Sequence, residues 1–376
     1  MNSMKTIEEI GRESWEKRVW DREAAGQEME PLWLAGSAAC RKAADAAACR
    51  DMGGKKVHIA GLGDVGRNVA LGLVMDGGGI VGKIGLYDPN EKQCRRMEIE
   101  LSQIAPPPGG KKLPEVRRIN WEEVFGCDVF LFCATKSVPA VGSGVADVRM
   151  AQYEANRKIV ALYAREAAKR RYKGLFGVVS DPVDLLAMEA LRSSWEVEGP
   201  YPSGETEGSR PSLETDQVRP LHPCQIRGFG LGVMNARAMY YAKRNPEFGL
   251  YEKEGRAFGP HGQGLVIANS VNVFRYNDAV SEKLTDLTVH ANTEVRELGF
   301  KPYIAPAISS AVFTVLALMR GEWQYSAAYL NGLYFGALNR QTDTGMEWEK
   351  EPLPDKLVCR LEASRRGLEE MIWGLR

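Results

Sequence analysis

Residues 55–66 read KKVHIAGLGDVG. A short apolar, β-branched run, Lys55–Gly61, enters a turn of the form GxGxxG, and a helix-patterned segment, Gly63–Met75, leaves it. No other stretch restricts the chain as much. In this context Gly61 permits a tight turn, Gly63 lets a pyrophosphate approach the backbone, and Gly66 lets helix and strand pack closely. The N–H groups of Gly63, Asp64 and Val65 at the helix start then face an anion. Asp88 follows Gly66 by 22 residues, at the end of the strand-like run IGLYD. A carboxylate there accepts hydrogen bonds from both ribose hydroxyls and repels a 2′-phosphate, which selects NAD over NADP. The competing reading is a glycine-rich turn in a nucleotide-free domain, which must treat strand, helix and acid as coincidence.

The pattern continues as strand and helix in alternation. Ile84–Tyr87, Val116–Ile119, Asp128–Cys133 and Leu175–Ser180 read as further strands, and Ala155, Ile159, Leu162 and Tyr163 recur at helical spacing before the last. Such alternation predicts an α/β fold with a doubly wound parallel sheet. Residues 1–54 read as a peripheral helical extension, Ala-rich over 37–49, ending at Gly53-Gly54. Residues 196–223 hold five prolines, three glycines, six acids and two bases, the composition of a loop or disordered insertion too polar for a core. Beyond lie a glycine-rich start (Gly228, Gly230, Gly232), a hairpin region around 250–270 and long helical patterns to the C-terminus. The expected organisation is a helical extension (1–54), a nucleotide domain (55–180) and an α+β catalytic domain (181–376) carrying the insertion.

Composition limits the partners. Lys plus Arg equals Asp plus Glu, 49 each, so no basic footprint exists for nucleic acid or an anionic membrane. The longest uncharged apolar stretch, Ile304–Met319, has 16 residues and contains Pro306, short of the roughly 20 that span a bilayer. Glu8, Glu9 and Glu13 occupy the place where a secretory signal would be apolar. The expectation is a soluble, cytoplasmic protein. Seven scattered cysteines without a CxxC pair read as free thiols, with no metal site.

From Lys55 to the C-terminus, outside 196–223, the chain resembles the lactate/malate dehydrogenase family. GLGDVG and Asp88 match that family's nucleotide loop and ribose acid. Ser180-Asp-Pro-Val-Asp184 resembles its SNPVD, Ala236-Arg237 the end of its LDSAR, Gly259-Pro-His261-Gly262 its GEHGD, and Ser270-Val-Asn-Val273 its GVNV. Gly299-Phe300 opens a segment resembling its KGxT region. The resemblance implies a Rossmann domain followed by a catalytic domain, hydride transfer between NAD and a small 2-hydroxy acid, and a homo-oligomer, dimer or tetramer. By position it makes His261 the proton donor and acceptor and Arg237 the bidentate carboxylate binder. Arg149 becomes the carbonyl-polarising arginine, located by counting back from Asn156, which stands for a substrate-binding asparagine. Ala134 and Thr135 complete the nucleotide contacts. Of the other histidines, His58 falls inside the first strand, His222 in the insertion, and His290 in a helical segment.

Four positions depart from the family pattern. The aspartate that orients the histidine is absent, with Met234 or Asn235 in its place. The asparagine of SNPVD is Asp181, which when ionised donates no hydrogen bond. GEHGD has become GPHGQ. The loop Thr135–Val148 is longer, with Lys136 as its only basic residue. Three readings follow. The first is a dehydrogenase in which Asp181 supplies the missing anion, Asp181 and His261 lying on opposite sides of one substrate oxygen. The second is a catalytically lapsed NAD(H)-binding sensor or partner subunit. The third is an amino- or imino-acid reductase whose Asp181 receives a substrate ammonium.

Overall fold

A computed structural model of the chain describes residues 5–24, 54–136, 148–196, 218–300, 305–342 and 345–374. The elements run α1 (Ile7–Ala24), β1 (Lys55–Ala60), α2 (Asp64–Asp76), β2 (Val81–Tyr87), α3 (Glu91–Ser102), β3 (Glu115–Arg118), β4 (Val129–Phe132), α4 (Val148–Lys169), β5 (Leu175–Val178), α5 (Val183–Trp195), β6 (Ile226–Gly228) and α6 (Leu231–Ala242). They continue with β7 (Arg256–Phe258), β8 (Val266–Ala268), α7 (Asp278–Glu297), α8 (Ser310–Arg320), β9 (Gln324–Tyr329), β10 (Tyr334–Thr342), β11 (Gly345–Trp348) and α9 (Asp355–Gly374).

Among the described residues, nine strands form one sheet in the order β11-β10-β9-β6-β5-β4-β1-β2-β3. From β3 to β6 every pairing is parallel, and the order 3-2-1-4-5-6 is that of a doubly wound dinucleotide fold. The apolar runs at β1, β4 and β5 therefore lie inside a parallel sheet, as their hydrophobicity requires, while Val116–Ile119 falls on the exposed edge strand β3. In β4, Phe130 and Phe132 join the core under α4 and α5, while Val129 and Leu131 join the core under α2, α3 and α8. Strands β7 and β8 form the antiparallel pair expected within 250–270.

The sheet does not end at residue 180. Strand β6 adds a sixth parallel strand, and β9, β10 and β11 extend it antiparallel. This corrects the expectation of helices to the C-terminus. The run QYSAAY of β9 is rich in Ala and Ser and buried on both faces, so neither strand propensity nor alternation marks it. A signal was nevertheless there. Asn331 (φ 45°) and Gly332 (φ 95°) make the two-residue turn between β9 and β10, closed by Leu330 N donating to Leu333 O at 2.8 Å. Two successive positive φ angles define a type I′ hairpin, and Asn-Gly is its preferred pair.

Two further corrections concern the polar insertion and the thiols. Residues 197–217 and the Ala-rich 37–49 lie outside the described residues, but the last part of the insertion is packed. Leu221 is fully buried in the main core, and Arg219 bonds Ala168 O through its backbone and Tyr172 O through its guanidinium. A single apolar residue in a polar run suffices to dock its neighbours once a core face awaits it. Cys224 is disulfide-bonded, whereas Cys94, Cys127, Cys133 and Cys359 are free. Pairing follows proximity in space, which scattered spacing does not reveal.

His222 is half-buried at the cap of the 3-10 turn Pro223–Gln225, where Cys224 N donates to its Nδ1 at 3.2 Å. Burial, aided by Arg219 and Arg227, pushes its pKa down to about 4. Burial also lowers that of His58, whose Nδ1–H donates to Val124 O at 3.0 Å in β1. Because the folded state resists protonation, this stability is complete above pH ~6.5 and lost as pH falls towards 4, about 3 kcal/mol for His222 alone. Urea unfolding at pH 7.5 and 4.5 should show the loss in the wild type. His222→Asn keeps a capping acceptor but does not titrate, and should flatten the dependence.

Candidate functional site

The carboxyl ends of β1, β2, β4, β5 and β6 open on one crevice, where doubly wound sheets place their ligands. Gly61, Asp88, Ala134, Asp181 and Gly230 all follow these ends directly or within three residues. At Gly61, φ is +91°, and a Cβ would lie 2.4 Å from the Ala134 backbone. At Gly66 a Cβ would lie 1.9 Å from Gly61 O. At Gly63 a Cβ would meet nothing within 4 Å. The first and third glycines are thus demanded by the fold, while the second borders open space. Gly63 is the N-cap of α2, and no side chain caps the helix. Its first-turn N–H groups face that space with the positive end of the dipole.

Asp88 is fixed beside this turn. Its Oδ2 accepts from Leu62 N (2.8 Å) and its Oδ1 from Asn90 N (2.9 Å). Gln93 Nε2 donates to Leu62 O (2.8 Å), tying α3 to the same loop. Asp64 pairs with Arg67 one turn on, and Val65 packs against the core. The site therefore has an uncapped helix end, a bare glycine and a fixed carboxylate side by side.

On the far side of the crevice, His261 Nδ1–H donates to Asp181 Oδ1 at 2.6 Å. A carboxylate only accepts, so the ring proton is assigned to Nδ1. His261 Nε2 is buried without a hydrogen-bond partner. The histidine's backbone N–H donates to Asp184 Oδ2 at 3.1 Å, and its ring rests on Gly230, where a Cβ would come within 2.9 Å. Asp181 meets the ring directly instead of across a substrate oxygen, which corrects the arrangement expected above. Neither Met234 nor Asn235 plays the orienting role. Met234 Sδ lies 3.9 Å from Arg237 Nη1, and Asn235 Oδ1 accepts from the buried Tyr251 hydroxyl at 2.8 Å.

Arg237 projects from α6 with its Nε buried and without a hydrogen-bond partner. Burial pulls its pKa down and the charge of Asp181 opposes this, but a guanidinium stays protonated throughout the working range. Asn156 is buried in α4. Its Oδ1 accepts from Thr135 Oγ1 (3.2 Å) and Lys136 N (3.0 Å), and its Nδ2 donates to Asp181 O (3.0 Å). It clamps the β4 and β5 loops together, as Ser180 Oγ does by donating to Ala134 O at 2.8 Å. Arg149 lies in the first turn of α4 with its side chain outside the described residues, as does the loop 137–147. Sequence reading missed Gly230 and the contact made by Asp184. The alternate glycines 228, 230 and 232 were the visible sign of a close approach there.

No protein-family model and no curated protein matches the sequence. Solved structures do match. A minor L-lactate dehydrogenase from Enterococcus mundtii superposes with a TM-score of 0.65 at 18% identity, over 86% of this chain and 99% of that one. The malate dehydrogenase of Cryptosporidium parvum gives 0.63 at 18% identity over 86% and 99%. That of Aeropyrum pernix gives 0.63 at 16% over 85% and 97%. The chain has the lactate/malate dehydrogenase fold. The likeness is one of fold, since more than four residues in five differ.

The glycine geometry sets an expected outcome. Gly66→Ala must displace backbone and should cost about 3 kcal/mol or more, whereas Gly63→Ala should cost less than about 1 kcal/mol. Urea unfolding of the two variants checks this ordering, and equal losses would contradict it.

Proposed function

We propose that the protein is an NAD-dependent oxidoreductase that interconverts a small 2-oxo acid and its 2-hydroxy acid. One observation carries the reading. His261 is held by an anion at Nδ1 and keeps Nε2 buried and unpartnered, the arrangement of a proton-transfer group waiting for a substrate oxygen. When bound, NAD would supply or accept the hydride. Gly63 and the α2 N-terminus would hold its pyrophosphate, Asp88 its ribose, and Ala134 and Thr135 the adjoining wall.

The chain's own part follows from charge. In reduction, protonated His261 gives its Nε2 proton to the oxygen as charge develops there, and in oxidation neutral Nε2 takes it back. Asp181 stabilises the imidazolium and fixes the ring, the task of a triad aspartate. The acid needed beside the histidine is thus drawn from the β5–α5 turn instead of from α6. Arg237, cationic in a largely dry setting, binds the substrate carboxylate with the planar fork that two oxygens need. Arg149 would polarise the reacting carbonyl, and Asn156 acts by fixing the loops that shape the site. A cytoplasmic homo-oligomer acting on a small carboxylate, without nucleic-acid or membrane partners, goes with this reading. Among the described residues no helix is long and apolar enough to cross a membrane.

The same contact bears on the alternatives. A lapsed binding protein has no use for a histidine–carboxylate pair beside a desolvated arginine. An amino- or imino-acid reductase needs Asp181 for an ammonium, but here the carboxylate is engaged with His261.

The test is NADH oxidation with a panel of 2-oxo acids, with and without ammonia. Turnover without ammonia is expected, and tight NADH binding with none across the panel would overturn the reading. NADH should bind at least tenfold more tightly than NADPH, about 1.4 kcal/mol, as fluorescence titration would show. Replacing the orienting acid of a serine protease by its amide costs about four orders of magnitude. Asp181→Asn should accordingly lower kcat at least a hundredfold and leave NADH affinity unchanged. Arg237→Lys should raise KM for the 2-oxo acid far more than it weakens NADH, since lysine keeps the charge but loses the fork.

A further inference from the structure

The loop that carries His261, residues 259–264, has three glycines at positive φ (Gly259 +86°, Gly262 +123°, Gly264 +87°), residues that lose the most conformational freedom on folding. Its two ends are held from outside. Gly259 N donates to Gly336 O of β10 at 2.8 Å, and Gly336 is pressed so close that a Cβ there would lie 2.3 Å from Gly259 O. Ser364 of α9, itself buried, donates from Oγ to Gly264 O at 2.5 Å, and the same Oγ lies 2.9 Å from where a Cβ on Gly259 would stand. One hydroxyl therefore touches both ends of the loop.

The next residue of α9 faces the hairpin. Arg365 donates from Nη1 to Leu330 O (2.8 Å) and from Nη2 to Asn331 O (2.6 Å), fixing the turn from which β10 and Gly336 depart. Arg365 is held by Glu369 one turn on (3.2 Å). Glu369 also accepts from Arg18 and, at 3.3 Å, from Ser14, both on α1. Helix α1 further seats Gly11 against Leu330, where a Cβ would lie 2.6 Å from its Cγ, and buries Ile7 and Ile10. Lys5 bridges to Glu362 of α9 at 3.1 Å.

We infer that Ser364 is a positioning residue for His261, and that the N-terminal helix, through Glu369, holds the α9–hairpin unit that presents Ser364 and Gly336 to the histidine loop. The extension is then a brace of the reaction centre. The inference rests on the proposed role of His261, but its first readout is the position of the imidazole, which is observable whether or not the protein turns over a 2-oxo acid.

The experiment uses the full chain labelled with ¹⁵N-histidine, the His261 resonances being assigned with His261→Gln. In the wild type, long-range ¹H–¹⁵N spectra should show a single Nδ1–H tautomer. Ser364→Ala should shift these resonances towards mixed tautomers and lower kcat about tenfold, with NADH affinity unchanged. Ser364→Thr, which keeps the hydroxyl, should restore both. Glu369→Gln should move the same resonances in the same direction by less. If both Ser364→Ala and Glu369→Gln lower only the melting temperature and leave the His261 signals in place, the roles are merely structural and the inference is overturned. A response to Ser364→Ala alone would overturn the part assigned to α1. If the wild type shows the tautomer and its shifts but no turnover, the proposed reaction fails while the brace stands.

Discussion

The contact on which the architecture turns is the approach of the β1–α2 turn to β4. Gly61 lies against the Ala134 backbone and Gly66 against Gly61 O, at separations that no side chain tolerates. This contact lets α2 start at the carboxyl edge of the sheet and run back across β1 with Val69 and Leu73 buried. It also places an uncapped helix end beside the loops leaving β2 and β4. The open space at Gly63 is then a by-product of close packing, and on the proposed reading it is where the cofactor's phosphates would sit.

Across that crevice the structure solves an electrostatic problem. On the proposed reading His261 gains and loses a proton, and such a histidine needs a nearby anion and a fixed ring. The lactate/malate dehydrogenase pattern draws that anion from the helix carrying the carboxylate-binding arginine, and here that helix has none. Asp181, on the β5–α5 turn, reaches His261 Nδ1 instead. On the proposed reading, the acid at position 181 and the absence of an acid from α6 belong to one arrangement. Asp184, one turn into the next helix, holds the histidine's backbone, so the β5–α5 turn grips both the ring and the main chain of His261.

Much of the parallel half of the sheet was legible because its constraints are local. A strand, a tight turn and a helix start follow one another in the chain, and glycine at 61 and 66 is dictated by neighbours at short range or by a sheet partner that most such folds share. The antiparallel extension was less legible. Strand β9 has little intrinsic preference, and its burial on both faces comes from helices distant in sequence. Only the Asn331-Gly332 turn betrayed the hairpin. The packing of Leu221, at the end of a polar segment, was invisible for the same reason: its partners lie elsewhere in the chain.

The sequence by itself determined the fold class, the helix-end crevice and the identity of the groups that could do chemistry there, because residue types and short spacings suffice to specify turns, caps and donors. It named Asp181 as the anion for His261 but not their direct contact, nor that the N-terminal helix and Ser364 bear on that histidine's loop. Those relations join positions 80 to more than 300 residues apart, and only the closed tertiary structure brings such positions within hydrogen-bond reach.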